Sequence, residues 1–327
     1  MKKIPISLII DDPAPVVSVY HAHHDTGFTR DGRPILEYVP NEMFFTFCEI
    51  VRRHGLKGKF SVVPMPGNRG DIINGIDGAD ENDVTAWLNG VKERLCPAFS
   101  VGPEMLTHNK AVDLATGQAL PMNERDWASV QTEETLTPYV AKALSILRDA
   151  GFAPLGVTSP WDFGIEVEAD YVKAISNAVL QVCGSKSAWY FLRSRRDVPD
   201  AKPWVAYDDG DRCVVSIPAT ARDHFWQTID TTQADDAFVS RVADEIITAD
   251  GRAGELIDIL HRNGMPILIT HWQSLVSNGE GTGLRALDEV ATRIERNFGD
   301  ALEWMSFEEI LAMVVANKEQ YPKPEFN

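Results

Sequence analysis

Apolar runs of strand length alternate with longer runs of helical periodicity along most of the chain. This alternation limits the fold more than any other feature. Residues 4–10, 59–63, 99–101, 155–158, 187–192 and 266–270 read as strands. Residues 41–53, 83–95, 133–150, 167–182, 235–249 and 253–263 read as helices, the last two nearly continuous. Leu284, Leu287, Val290, Ala291, Ile294 and Phe298 mark a final amphipathic helix. Asn41, Asn82 and Thr132 are the expected N-caps, and Pro138 offers an alternative helix start. Asp208-Asp209-Gly210-Asp211, flanked by residues 204–207 and 212–217, reads as a hairpin turn. Strands alternating with helices imply an α/β fold with a mostly parallel sheet. The number of units suits a closed or incomplete (β/α)7-type barrel, with residues 1–327 as one domain. Residues 26–40 and 67–82 read as loop insertions after strand ends, where they can frame a site.

With 327 residues, 44% of them hydrophobic, the chain can bury a sizeable core. A formal net charge of −17 argues against nucleic acid and anionic membranes as partners. Cys48, Cys96, Cys183 and Cys213 are scattered without a C-x-x-C pair, which argues against a disulfide framework or a cysteine zinc site. The apolar run after Met1-Lys2-Lys3 spans only seven residues, too short for a signal-peptide core. No stretch approaches the roughly 20 apolar residues of a membrane span. These features read as a soluble cytoplasmic protein.

The first strand ends in adjacent carboxylates, Asp11 and Asp12. Parallel α/β sheets place their chemistry at the carboxyl ends of strands. There one carboxylate can bind a metal while its neighbour handles a proton, although Asp-Asp-Pro also makes a good turn. Glu104 and His108 follow the third strand, four residues apart. On a helical turn that spacing puts both on one face, where they can share a metal. Ser159-Pro160-Trp161 and His271-Trp272 follow two later strands, and both tryptophans suit sugar stacking as well as plain packing. His271 suits an acid/base role or a hydrogen-bonded core position. His21, His23, His24 and Asp25 lie about ten residues beyond the first strand. If that segment is extended, His21 and His23 share a face and can reach a metal, form a second site, contact substrate, or simply sit in a polar loop.

Taken in order, these residues resemble the polysaccharide deacetylase (NodB-type) superfamily. Ile10-Asp11-Asp12-Pro13 matches the T-F-D-D-G motif. Glu104-Met105-Leu106-Thr107-His108 matches H-[ST]-x-x-H, with Glu for the first His. Thr158-Ser159-Pro160-Trp161 matches R-x-P-[YW], with Thr for Arg. Thr270-His271 closes an apolar strand as in the L-x-H motif, and Lys59-Phe60-Ser61-Val62-Val63-Pro64 fits the family's second strand. Asp223 and Trp226 are similar to a fourth motif, in which an Asp orients the catalytic His and a Trp lines the groove.

The resemblance implies that Asp12 and His108 ligate one divalent metal ion, usually zinc, with manganese, cobalt, nickel or iron as alternatives. It implies that Asp11 is the base acting on a metal-bound water and His271 the acid that protonates the leaving group. The expected activity is hydrolysis of an N- or O-acetyl group on a saccharide or glycoconjugate. The partner is then a small-molecule or oligosaccharide substrate, with Trp161, Trp226, His23 and Asp223 as substrate-binding candidates. Glu104 can still ligate, but a second carboxylate makes a weaker Lewis acid or favours a harder metal than zinc. The family's Arg, which pairs with the base, is absent at Thr158, and Arg193 or Arg222 are candidate substitutes. Two alternatives remain: an amidohydrolase of small cyclic or linear amides on the same fold, and a non-catalytic carbohydrate-binding relative.

Overall fold

The computed structural model describes residues 3–24, 26–198 and 200–325, so Asp25 of the histidine cluster lies outside the described residues. Its strands are β1 (Ile4–Asp11), β2 (Gly58–Val62), β3 (Gly70–Asp71), β4 (Gly75–Ile76), β5 (Phe99–Pro103), β6 (Lys110–Val112) and β7 (Ala119–Asn123). There follow β8 (Gly156–Thr158), β9 (Ser187–Phe191), β10 (Trp204–Asp208), β11 (Cys213–Ser216), β12 (Ile267–His271) and β13 (Leu302–Trp304). Helices α1 (Val19–His23), α2 (Asn41–His54), α3 (Glu81–Gly90), α4 (Glu124–Ala128), α5 (Glu133–Asp149) and α6 (Glu168–Cys183) precede α7 (Asp236–Ile246), α8 (Glu255–His261), α9 (Trp272–Val276), α10 (Thr282–Phe298) and α11 (Phe307–Val315).

β1 is buried from Ile6 to its end, as a strand must be when both faces of its sheet are covered. It runs parallel between β12 and β2, β2 pairs with β5, and β13 also pairs with β1. A second sheet has the order β10-β11-β9-β8, parallel except for the expected hairpin between β10 and β11. The two sheets meet at a single parallel bridge between Glu104 and Thr158, where the Met105 N–H donates to the Thr158 carbonyl at 3.0 Å. On the far side, Thr220 N–H donates to Ile267 O at 3.0 Å and Ile267 N–H donates to Thr220 Oγ1 at 2.8 Å. The fold is therefore α/β with a mostly parallel sheet, but its parallel ladders form two sheets joined by single residues, and β3–β4 and β6–β7 are separate antiparallel pairs. Trp189 fills the space between them: a Cβ on Gly102 would stand 2.8 Å from its ring, and one on Gly156 2.1 Å.

Helices cover the sheets with apolar faces. Phe44 and Phe47 of α2 pack with Phe60, Trp87 and Trp272 in one aromatic cluster. Several boundaries differ from the sequence reading. Pro40, not Asn41, holds the cap position of α2. Asp80 caps α3 by accepting from the N–H groups of Asn82 and Asp83, because it stands immediately before the first helical residue, Glu81, while Asn82 is already inside the helix. α5 starts at Glu133 behind a Thr132–Thr135 capping box, with Pro138 inside the helix. α7 and α8 are separate. The chain between them turns through Gly251 and Gly254 at positive φ, and a Cβ on Gly254 would stand 2.5 Å from the Ile246 carbonyl oxygen. No helix among the described residues is long and apolar enough to cross a membrane.

Candidate active site

The parallel register of β1 and β12 sets Asp11 directly beside His271. Asp11 is buried, and its Oδ1 accepts a charged hydrogen bond from Lys59 on β2. The Lys59 side chain is fully buried. Its ammonium also donates to Ser61 Oγ at 2.5 Å and Thr158 Oγ1 at 2.6 Å, and lies 4.5 Å from the centre of the Phe191 ring. The cationic partner expected for Asp11 is thus Lys59. Arg193 instead pairs with Glu168, and Arg222 lies 3.9 Å from Glu255. Thr158, at the position of the motif Arg, contributes a hydroxyl to the Lys59 cage.

Asp12, Glu104 and His108 offer ligand atoms that all lie within 4.8 Å of one another, and all three residues are buried. His108 Nε2 stands 2.9 Å from Asp12 Oδ1 and 3.7 Å from Glu104 Oε1. The Asp12 N–H donates to Glu104 Oε2 at 2.6 Å, and Gln273 Nε2 donates to Asp12 Oδ2. Glu104 and His108 do not share a helical turn, as the spacing suggested. They come together across a tight loop in which Met105 and His108 have φ of 24° and 50°. A buried carboxylate explains that loop. Glu124 accepts from the N–H groups of Leu106 and Thr107 at 3.0 Å each, from that of His108 at 2.8 Å, and from the Tyr139 hydroxyl at 2.7 Å. Asp12 also turns out of its strand through the left-handed region, at φ 68°.

The electrostatics fit a cation. Burial opposes ionisation of Asp12, but the charge and hydrogen bond of His108, with His271 and Gln273, hold its carboxyl well below the usual range. Burial, then the charges of Asp12 and Asp11, push Glu104 well above its usual range. His108 is raised despite burial, chiefly by Asp12. His108 Nδ1 is buried without a hydrogen-bond partner, a cost on the order of 1–3 kcal/mol unless something else satisfies it. Two carboxylates and an imidazole at this spacing are a donor set that a divalent ion fits.

His271 faces this cluster from the other side. Its Nδ1 lies 2.7 Å from Asp223 Oδ2, and its ring meets Trp226 edge-on at 4.9 Å. Burial disfavours its charge, but the Asp223 hydrogen bond and the charges of Asp12, Asp223 and Asp11 hold its pKa up, at about 9. Asp11, Asp12, Glu104, His108, His271 and Gln273 line one cavity of about 260 Å³. His23, Trp161 and Trp226 line it too, with Trp161 and Trp226 44% and 43% exposed at its mouth. Asp223 does not line it and faces His271 instead. Trp272 is buried in the aromatic cluster, so it packs the core and cannot stack on a ligand in the cavity. Residues 26–40 and 67–82 contribute no side chain to the lining.

The histidine segment is helical, not extended: α1 begins at Val19 with Ser18 as its cap, so His21 and His23 point apart. His23 enters the cavity beside His108 and Trp161, with ring centres 5.1 Å from each. Burial, then the charge of His108, lower its pKa to about 4.

Sequence reasoning missed Lys59, Gln273 and Glu124. Lys59 carried a signal, since a lysine at an inward position of an otherwise buried strand needs an anion. Gln273 and Glu124 carried none.

No protein family and no curated protein matches the sequence. The structure does match a solved one, described as a putative polysaccharide deacetylase from Mycobacterium smegmatis. The TM-score is 0.52 and the identity 14%, over 87% of this chain and 80% of that one. The protein therefore has the α/β fold of that Mycobacterium smegmatis protein.

Proposed function

We propose that the protein is a metal-dependent hydrolase that removes an N- or O-acetyl group from a saccharide or glycoconjugate of the cytoplasm. The two joined sheets are read as an incomplete barrel with its site at the strand ends. One observation carries the proposal: a single cavity holds the buried Asp12–Glu104–His108 donor set and the strand-paired Asp11 and His271. The deacetylase-like fold of the Mycobacterium smegmatis protein supports it.

Asp12, Glu104 and His108 would hold the ion, zinc or a harder divalent metal. When bound, the ion would polarise the acyl carbonyl and make a water more acidic. Asp11 accepts the proton of the attacking water on Oδ2, the oxygen that Lys59 and Ser61 do not hold. His271, kept protonated by Asp223, gives a proton to the leaving amine or alcohol. Gln273 fixes the rotamer of Asp12. Trp161 and Trp226 flank the mouth as apolar walls for a sugar ring. The modest cavity suits one acylated ring or a small amide better than a long polymer wrapped on all sides.

Metal analysis of purified variants tests the assignment. Wild type should carry one divalent ion per chain, Asp12→Ala and His108→Ala should carry none, and His271→Ala should keep the ion but lose turnover. Equal metal content in all four proteins would refute the ligand assignment.

A further inference from the structure

The contact between Asp223 and His271 depends on where the chain puts Asp223. Asp223 Oδ2 meets His271 Nδ1 at 2.7 Å, while its Oδ1 is buried without a hydrogen-bond partner among the described residues. No second bond turns this carboxylate, so its backbone sets its aim. That backbone is held by a residue remote in sequence. Glu255, the first residue of α8, accepts from the Arg222 N–H at 2.8 Å and lies 2.7 Å from His224 Nε2. Both contacts fall on its Oε2, so one oxygen clasps the residues on either side of Asp223. Burial opposes ionisation of Glu255, but the His224 hydrogen bond and the Arg222 N–H hold its carboxyl below the usual range. His224 opens a short helical turn, His224–Thr228, which sets Trp226 edge-on to His271. At the far end of that turn Thr228 Oγ1 donates to the Ser274 carbonyl of α9, the helix that follows His271. The segment is tied at both ends, and Asp223 and Trp226 meet His271 from between the ties.

We infer that Glu255 is a positioning residue for His271: by clasping Arg222 and His224 it aims the Asp223 carboxylate at His271 Nδ1. The inference rests on the reading of His271 as the acid of the proposed hydrolysis. Glu255 lines an open hollow with Arg222 and His224, not the cavity of His271, so it acts only through Asp223. With Nδ1 held by Asp223, the proton for the leaving group is carried on Nε2. A displaced Asp223 would let the imidazole turn, and a misaimed catalytic group costs rate.

Two readouts of Glu255→Ala, Glu255→Gln and His224→Ala test this. One is the proton NMR signal of His271 Nδ1–H in the resting protein, identified by its absence from His271→Ala. The other is kcat and KM for acetate release from an acetylated amino sugar. Glu255→Ala should shift or broaden the signal and lower kcat by up to roughly 100-fold, with KM unchanged. Glu255→Gln keeps an oxygen where both contacts fall, so it should restore the signal and most of kcat. His224→Ala loses half of the clasp and should change both readouts in the same direction, by less. Thermal melting verifies folding, and His224→Ala carries the test if Glu255→Ala does not fold. A wild-type signal in the folded variant would overturn the inference whatever its kcat, as would failure of Glu255→Gln to restore the signal. A changed signal with wild-type kcat would reject His271 as the acid, and Glu255 as its positioning residue with it. Wild type that releases no acetate would reject the proposed hydrolysis, while the signal still decides whether Glu255 aims Asp223.

Discussion

Lys59 and Asp11 form an ion pair across neighbouring parallel strands, and the lysine side chain has no exposure to solvent. Two charges so deep are tolerated only as a pair, with Ser61 and Thr158 completing the ammonium's hydrogen bonds. The pair keeps an oxygen of Asp11 in the cavity beside His271.

Removing one partner should therefore cost far more than removing both. Lys59→Met is expected to lower the free energy of unfolding by about 3–5 kcal/mol, because it strands a buried carboxylate. Asp11→Asn combined with Lys59→Met should recover most of that loss. Urea denaturation of the three proteins checks this, and equal destabilisation by the single and double variants would contradict it.

In the proposed mechanism the Asp223–His271 contact should set the alkaline edge of activity. His271 is raised to about 9, so it should remain a competent acid through neutral pH and lose its proton only near pH 9. Asp223→Asn should move that edge towards the ordinary imidazole value of about 6.5. Because the folded pKa lies above the unfolded one, the contribution of His271 to stability is full below about pH 6.5 and fades as the pH rises through about 9. A pH profile of kcat/KM and an NMR titration of the imidazole read both effects.

Glu124 shapes the loop that carries His108. Burial raises its carboxyl above the usual range, while the Tyr139 hydroxyl and the backbone N–H groups hold the charged form. Glu124→Gln replaces an acceptor oxygen with a donor, facing N–H groups that need an acceptor. The expected cost is about 1–3 kcal/mol of stability. Metal affinity should fall roughly 10–100-fold, as when an outer-shell partner is lost. Calorimetric metal titration beside a thermal melt checks the two together.

The mostly parallel sheet and the strand-end residues were legible because each parallel strand is a short apolar run stopped by a polar residue, whereas the order of the strands and their division into two sheets were not. Asp11, Asp12 and His271 stand at such stops, and strand pairing alone brings Asp11 and His271 together. Glu104 and His108 were legible as a pair, but their loop was not: it depends on Glu124, which is distant in sequence and carries no local pattern. The cationic partner of Asp11 was half legible: one was expected from the resemblance, while the Lys59 that fills the role sits on a strand whose relation to Asp11 only three-dimensional packing reveals. Trp272 misled because its place beside His271 in sequence says nothing about direction: the first turn of α9 sends its ring inward to Phe47 and Phe60.

The central claim is that one bound divalent ion, seated at Asp12, Glu104 and His108, makes the cavity a deacetylase. Acetate release from an acetylated amino sugar, measured on one preparation before chelation, after chelation and after adding back one equivalent of metal, tests it most directly. The account predicts release that is lost on chelation and restored by a single equivalent. Release that proceeds unchanged in chelated protein, or its absence in fully metal-loaded protein across N- and O-acetylated sugars, would contradict it.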